Sequence, residues 1–216
     1  MNKLGHRRSK WKVQRALGLE LPGLGRAGAL EKRAYGPGVH GPDARRKKVS
    51  SYGLQLKEKQ KLLFNYVIRE EQLRRFVRKA RSGRDTTAWV DTLISLLESR
   101  LDNLVFRLGW ARSIPAARQL VTHGHVHVDG KRASIGSMLV KVGSTVSLSE
   151  KGKKMTSVLS SLESPRLTLA PFFEYAGSGN GEDKLSAKLI SAPGHDYLPF
   201  ELNSMLVAEY YASRGV

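Results

Sequence analysis

Ser99-Arg-Leu-Asp-Asn-Leu-Val-Phe-Arg-Leu-Gly-Trp-Ala-Arg-Ser113, followed by Ile114-Pro-Ala-Ala-Arg-Gln-Leu-Val-Thr-His-Gly-His-Val-His-Val-Asp-Gly-Lys131, is the most legible stretch of the 216-residue chain. Leu93, Leu97, Leu101, Leu104, Val105 and Leu108 recur at helical spacing. They predict one helix, N-capped at Asp85 or Thr86 and ended by Gly109 at the C′ position. Ser113 is placed to cap a second helix, with Pro115 in its first turn, where a missing N–H costs nothing. Ala117, Leu120 and Val121 form its apolar side, and Gly124 ends it. The period then changes to two: Val126 and Val128 point one way, His125 and His127 the other. Asp129-Gly130 is a type I′ hairpin signal. Two more strands fit Met138–Val142 and Thr145–Leu148, joined by Gly143-Ser144. Two helices followed by a small antiparallel sheet make the expected fold class α+β.

The polar residues of this module suggest a functional face. Arg100 and Arg107 are two helical turns apart, hence on one side of the first predicted helix. Arg112, Ser113 and the open N–H groups at the start of the second helix form a candidate anion site. Arg118 and Gln119 follow along that helix, and Lys131 and Arg132 leave the hairpin. If the helices pack as an αα-hairpin, these groups converge on one phosphate-lined surface.

Charge elsewhere agrees. The chain carries 37 Lys+Arg against 19 Asp+Glu, a net of +18. Residues 1–154 hold 33 of the cations and 12 of the anions, a net of +21, and residues 155–216 hold 4 and 7, a net of −3. Such an imbalance points to a polyanionic partner. With 40% hydrophobic residues the chain is not expected to be disordered throughout. The lack of cysteine excludes disulfides, thiolate chemistry and cysteine-held zinc or iron–sulfur clusters. No run approaches the length of a membrane-spanning helix, and no apolar segment follows the basic start as a secretory leader requires, so an intracellular protein is expected.

The first fifty residues show little periodicity. Lys3, Arg7, Arg8, Lys10, Lys12 and Arg15 crowd the start, and Arg45, Arg46, Lys47 and Lys48 close the segment. Between them Tyr35-Gly-Pro-Gly-Val-His-Gly-Pro42 reads as an ordered bend or an extended arm that phosphates would fix. Residues 57–81 are predicted as a helix, with Leu62, Tyr66, Leu73, Phe76 and Val77 on one side. Arg69, Arg74, Arg75, Arg78, Lys79 and Arg81 load the other, with few acidic partners nearby.

The module from Ser99 to Lys131 resembles the S-four RNA-binding domain. Three further segments, Tyr35–Gly41, Ser51-Tyr-Gly-Leu-Gln-Leu-Lys-Glu-Lys-Gln-Lys61 and Phe200-Glu-Leu-Asn-Ser-Met-Leu-Val-Ala-Glu-Tyr-Tyr211, are similar to one parent family, the fourth protein of the small ribosomal subunit in its bacterial form. The resemblance implies a structural protein without catalysis, bound early in assembly to the 5′ domain of small-subunit rRNA. It also implies a contact with ribosomal protein S-five that supports translational accuracy. Implied RNA contacts are Arg100, Arg107, Arg112, Arg118, His123 and Lys131, and Tyr52, Lys57, Lys59 and Lys61 in the segment after the turn. Arg45 to Lys48 match a basic stretch near the channel by which mRNA enters. Many relatives hold zinc on N-terminal cysteines, which this chain lacks, so neither metal nor cofactor is expected. The implied organisation is a basic arm over 1–50, a helical domain over 51–97 with 200–216, and the S-four domain with a β extension over 98–199. The implied location is the ribosome of the cytoplasm or of an organelle of bacterial descent, without a membrane.

Several patterns compete. Gly23-Leu-Gly-Arg-Ala-Gly28 fits a dinucleotide-binding fingerprint, but no β-branched strand precedes it. His123, His125 and His127 alternate as metal ligands could, yet no cysteine or carboxylate cluster joins them, and imidazoles beside RNA are the preferred reading. Glu70 and Glu71, being adjacent, point to different helix sides and suit acid–base work poorly. Arg100-Leu101-Asp102 matches the catalytic triplet of pseudouridine synthases, some of which carry S-four domains, but there the triplet lies in a separate large domain. Asp102 is therefore read as structural. A shorter S-four factor acting on stalled ribosomes or tRNA would lack the matching segments near both ends.

Overall fold

A computed structural model of the chain describes residues 9–42, 49–83, 89–175 and 185–214. In chain order the elements are α1 (Lys10–Leu17), α2 (Ala29–Lys32), α3 (Ser51–Asn65), α4 (Glu70–Arg81), α5 (Trp89–Glu98), α6 (Leu101–Arg107) and α7 (Ile114–Thr122). Strands β1 (Val126–Val128), β2 (Lys131–Ala133) and β3 (Thr145–Leu148) follow, then α8 (Glu150–Lys153), α9 (Thr156–Glu163), β4 (Phe173–Tyr175), β5 (Ser186–Leu189) and α10 (Ser204–Ala212). The chain divides into two compact units, residues 1–90 with 198–216 and residues 91–197.

In the first unit the basic arm contains more structure than its composition suggests. Gln14 is fully buried on α1; its Nε2 donates to the Arg26 carbonyl at 2.9 Å and its Oε1 accepts from Leu21 N at 2.8 Å. Gly23 N donates to Asn65 Oδ1 of α3 at 3.0 Å, so the glycine-rich stretch spends its first amide inside the protein. Arg15 holds the turn motif by donating to the carbonyls of Tyr35 and Gly36 at 2.9 and 3.0 Å. Residues 9–42 are thus ordered by side chain–backbone bonds, which leave no apolar period to read. The expected helix over 57–81 is two helices. Ser50 caps α3 by accepting from Gly53 N at 3.2 Å, and the chain turns after Asn65 with Val67 at φ 49°. The turn lets Tyr66 and Ile68 both be buried, at 1% exposure each.

The C-terminal helix packs on α3 with Val207, Tyr210 and Tyr211 inward. Asn203 caps it by accepting from Leu206 N at 3.2 Å, while its own N–H donates to Glu58 at 3.0 Å. The Tyr211 hydroxyl is buried without a hydrogen-bond partner, and burial, followed by the nearby Glu70 charge, raises its pKa far above the ordinary tyrosine value. Tyr211→Phe is therefore expected to leave stability unchanged or to raise it by up to about 1 kcal/mol, because it removes a desolvated group and no bond. Urea unfolding of the two chains checks this; a loss of stability would reveal a partner for the hydroxyl.

The second unit holds one antiparallel sheet in the order β2-β1-β3-β5-β4. Asp129 and Gly130, at φ 49° and 75°, make the expected hairpin between β1 and β2, with Val128 opposite Lys131. Val126, Val146, Ala187 and Leu189 are fully buried on this sheet, each large side chain contributing roughly 1.5–3 kcal/mol. Met138–Val142 is not a strand. It caps a break instead: the single helix expected up to Gly109 is two, parted at Ser99-Arg100. Arg100 is extended there (φ −69°, ψ 137°) and bridges to Leu139. Leu101 N and Asp102 N, the first donors of α6, reach the carbonyls of Met138 and Gly136 at 2.9 Å each. A Cβ at Gly136 would stand 3.2 and 3.3 Å from the side chains of Arg118 and Asp102, so any larger residue would push that ion pair by a few tenths of an ångström. The two remaining strands, β4 and β5, come from the segment expected only as a β extension.

Candidate nucleic-acid interface

Asp102 organises the second unit. It is fully buried, and its carboxylate accepts from Arg100 Nε and Nη2 at 3.0 and 2.7 Å and from Arg118 Nε at 2.9 Å. A second buried pair joins α6 to the end of α5: Arg107 Nε donates to Glu98 at 2.9 Å, Asn103 donates to the same carboxylate at 2.8 Å, and another Arg107 nitrogen donates to the Tyr197 carbonyl.

These pairs correct the expected face. Arg100 and Arg107 are 3% and 5% exposed, so neither guanidinium reaches a phosphate. The helix break removes the register that placed them on one side, and Asp102 and Glu98 draw them inward. Arg118 keeps about a third of its side chain exposed (34%) while bound to Asp102. Ser113 caps α7 as expected, accepting from Ala116 N at 3.3 Å, but it is nearly buried and its oxygen is already used.

In the first unit, Lys59 is likewise turned inward, buried between Glu70 at 2.7 Å and the Tyr210 ring. Lys61 is spent on Glu58 at 2.7 Å and on the Glu201 carbonyl at 3.1 Å. Lys57 is half-buried. Tyr52 is 48% exposed, stacked on Tyr210, and its hydroxyl accepts from Arg214 at 3.0 Å. The exposed cations of this unit include Arg75, Arg78 and Lys79, all on α4. Arg7, Arg8, Arg45, Arg46, Lys47 and Lys48 lie outside the described residues, as do the expected caps Asp85 and Thr86.

Of the sequence-predicted residues, His123, His125 and Arg132 come together where α7 meets the hairpin, while Arg112 stands at the other end of that helix. Arg112, Gln119, His123, Lys131 and Arg132 are all exposed, and His125 is half-buried. Arg132 Nη2 donates to the His123 carbonyl at 3.3 Å, which ties β2 to the end of α7. The rings of His123 and His125 meet edge to face, 6.2 Å between centroids. A hollow of about 380 Å³ opens there, lined by His123, His125, Arg132, Ser149, Glu150 and Lys151. The Lys153 ammonium, hydrogen-bonded to Glu150 at 2.6 Å, lowers that carboxyl's pKa and partly offsets its charge. Arg132 and Lys151 are thereby left to set the sign of the hollow. Lys151 was not among the expected contacts; its signal was Ser149, which caps α8 by accepting from Gly152 N at 3.1 Å and fixes where the next residues point. The charge of this arrangement suits an anion.

Comparison with known proteins follows the same two parts of the chain. The S4 domain family model matches residues 99–146, and that of the ribosomal protein S4/S9 N-terminal domain matches residues 6–98. The small ribosomal subunit protein uS4B of Bdellovibrio bacteriovorus is 46% identical to this chain over 100% of both sequences. Small ribosomal subunit protein uS4 of Methylobacillus flagellatus is 45% identical, covering 94% of this chain and 95% of its own. The protein of that name from Oenococcus oeni is 44% identical over 95% and 97%.

Proposed function

The chain belongs to the uS4 family of small ribosomal subunit proteins, and from that premise we infer that it is a structural, non-enzymatic component of the small subunit that binds rRNA. The observation that carries the reading is the set of exposed cations on α7 and its hairpin, Arg112 before the helix and Lys131 and Arg132 after it, on a scaffold locked by buried carboxylates. Such a face contacts phosphates through side chains held at fixed spacing and so recognises the shape of folded RNA rather than a run of bases. The 5′ domain of small-subunit rRNA is its proposed target, bound early in assembly. Ribosomal protein S-five is a proposed neighbour whose interface supports translational accuracy, and mRNA passes near the basic residues 45–48. The triplet Arg100-Leu101-Asp102 is not a catalytic centre: the carboxylate is buried between two guanidiniums, out of reach of a nucleotide. Among the described residues no helix is long and apolar enough to cross a membrane.

Sedimentation tests the assignment. A tagged copy expressed in a bacterial cell is expected to migrate with small subunits and with assembled ribosomes through a sucrose gradient. A copy found only in the light fractions would overturn it.

A further inference from the structure

Beside the cationic hollow a second concavity, a groove of about 360 Å³, runs between α7 and the start of α9. That volume lies within the range of about 300–1,000 Å³ typical of clefts that enclose a small organic group. Met155 and the edge of Leu120 give it an apolar wall, with Trp110 wholly buried at its base and Ala116 half-exposed at one side. Its polar rim carries Arg112, Gln119 and His123. Arg112 is anchored at the mouth, donating to the Ser160 carbonyl at 3.1 Å.

His123 lines both concavities, so the apolar groove and the hollow holding Arg132 and Lys151 adjoin across one imidazole. An apolar slot with a cation on each side has the alternation of single-stranded RNA, in which a flat base separates two phosphates. The carboxamide of Gln119 both donates and accepts, as a base edge requires. Unpaired bases in RNA are held in this way, against apolar or aromatic side chains with guanidiniums nearby. An acidic partner is also what the charge selects, since the one carboxylate at the hollow, Glu150, is already paired with Lys153.

We propose that this groove takes one unstacked nucleobase from a single-stranded stretch of RNA, with its flanking phosphates held by Arg112 on one side and by Arg132 and Lys151 on the other. The proposal rests on the ribosomal reading and adds a base-holding subsite to it.

Ala116→Leu fills the groove while keeping the backbone N–H that Ser113 caps and a good helix former in α7. Full-length wild-type and variant proteins are titrated with a 5′-domain fragment of small-subunit rRNA and with a short oligouridine, after thermal melting has shown the variant to be folded. The variant's affinity for both is expected to fall roughly 5- to 100-fold, the worth of one base stack, with no change in the slope of log affinity against log salt, because no charge has been removed. Arg112→Gln is expected to make that slope shallower. If Ala116→Leu does not fold, Gln119→Ala, at an exposed position, replaces it with an expected loss of a few fold at unchanged slope. Unchanged affinity, or a loss accompanied by a shallower slope in the groove-filling variant, overturns the base-holding role. The ribosomal reading then survives as long as the wild type binds the fragment; a wild type that fails to bind overturns both.

Discussion

Asp102→Ala is expected to cost the second unit roughly 3–5 kcal/mol, the penalty of removing one partner from a buried ion pair. The carboxylate is fully buried and serves two guanidiniums, one of which, Arg100, is 3% exposed. Alanine leaves the Arg100 guanidinium in the interior without the charge that compensated its desolvation, while Arg118 can turn to solvent. Substitution by asparagine keeps the shape but presents an amide N–H₂ to one of the donors, so it recovers only part of the loss. Urea unfolding measures the difference, and a loss below about 1 kcal/mol, the range of an exposed pair, would show that solvent reaches the site. Arg107→Ala should behave similarly through Glu98, which is also fully buried. For both variants weakened RNA binding would follow from unfolding rather than from a missing phosphate contact. Melting temperature measured beside affinity separates these causes: stability moves first for Asp102 and Arg107, and affinity alone moves for Arg112.

The same residues show what a sequence discloses and what it hides. Ser113, Pro115 and Gly124 bound α7, and Asp129-Gly130 makes its hairpin, because the causes of those structures are local: a cap, a fixed φ and a permitted positive φ. The break at Arg100 has no local cause. Leu97, Leu101 and Leu104 continue at helical spacing across it, and the interruption is set by carbonyls of residues 136 and 138, far along the chain. The strand pattern of Met138–Val142 misled for the same reason, since those residues pair with a helix start and not with a strand. Inward-turned cations were half-legible: Glu98 and Asp102 stand in an otherwise apolar run, and a buried acid needs a base. The arm was illegible because buried polar side chains order it, Gln14 through bonds to Leu21 and Arg26 and Asn65 through one long-range bond to Gly23. At the interface, Arg112, His123, Lys131 and Arg132 could be named beforehand because they flank the cap and the hairpin. The groove beside them could not, since Met155 and Trp110 meet only after α9 folds back.

Affinity for a 5′-domain fragment of small-subunit rRNA is expected to fall about 10³–10⁵-fold between roughly 50 and 200 mM salt, as follows if about six to ten phosphates are neutralised. The removal of Arg100, Arg107, Lys59 and Lys61 from the exposed set does not empty the contact surface. In the second unit alone Arg112, Lys131, Arg132, Lys141 and Lys151 remain exposed, and the first adds Arg75, Arg78 and Lys79. Each exposed cation that meets a phosphate releases counterions, so the slope of log affinity against log salt counts contacts. Replacing Arg112, Lys131 and Arg132 together by glutamine should make that slope shallower by about 2 units, at roughly 0.7–0.9 per phosphate, and leave the fold intact because none of them sits in a buried pair. Substituting Arg107 in a background still folded at the assay temperature should not move the slope, since its guanidinium never leaves Glu98. A flat salt response of the wild type would remove the electrostatic account altogether. A normal wild-type slope that survives the triple replacement would move the RNA away from α7 and its hairpin and leave the basic face of α4 as the surface that binds it.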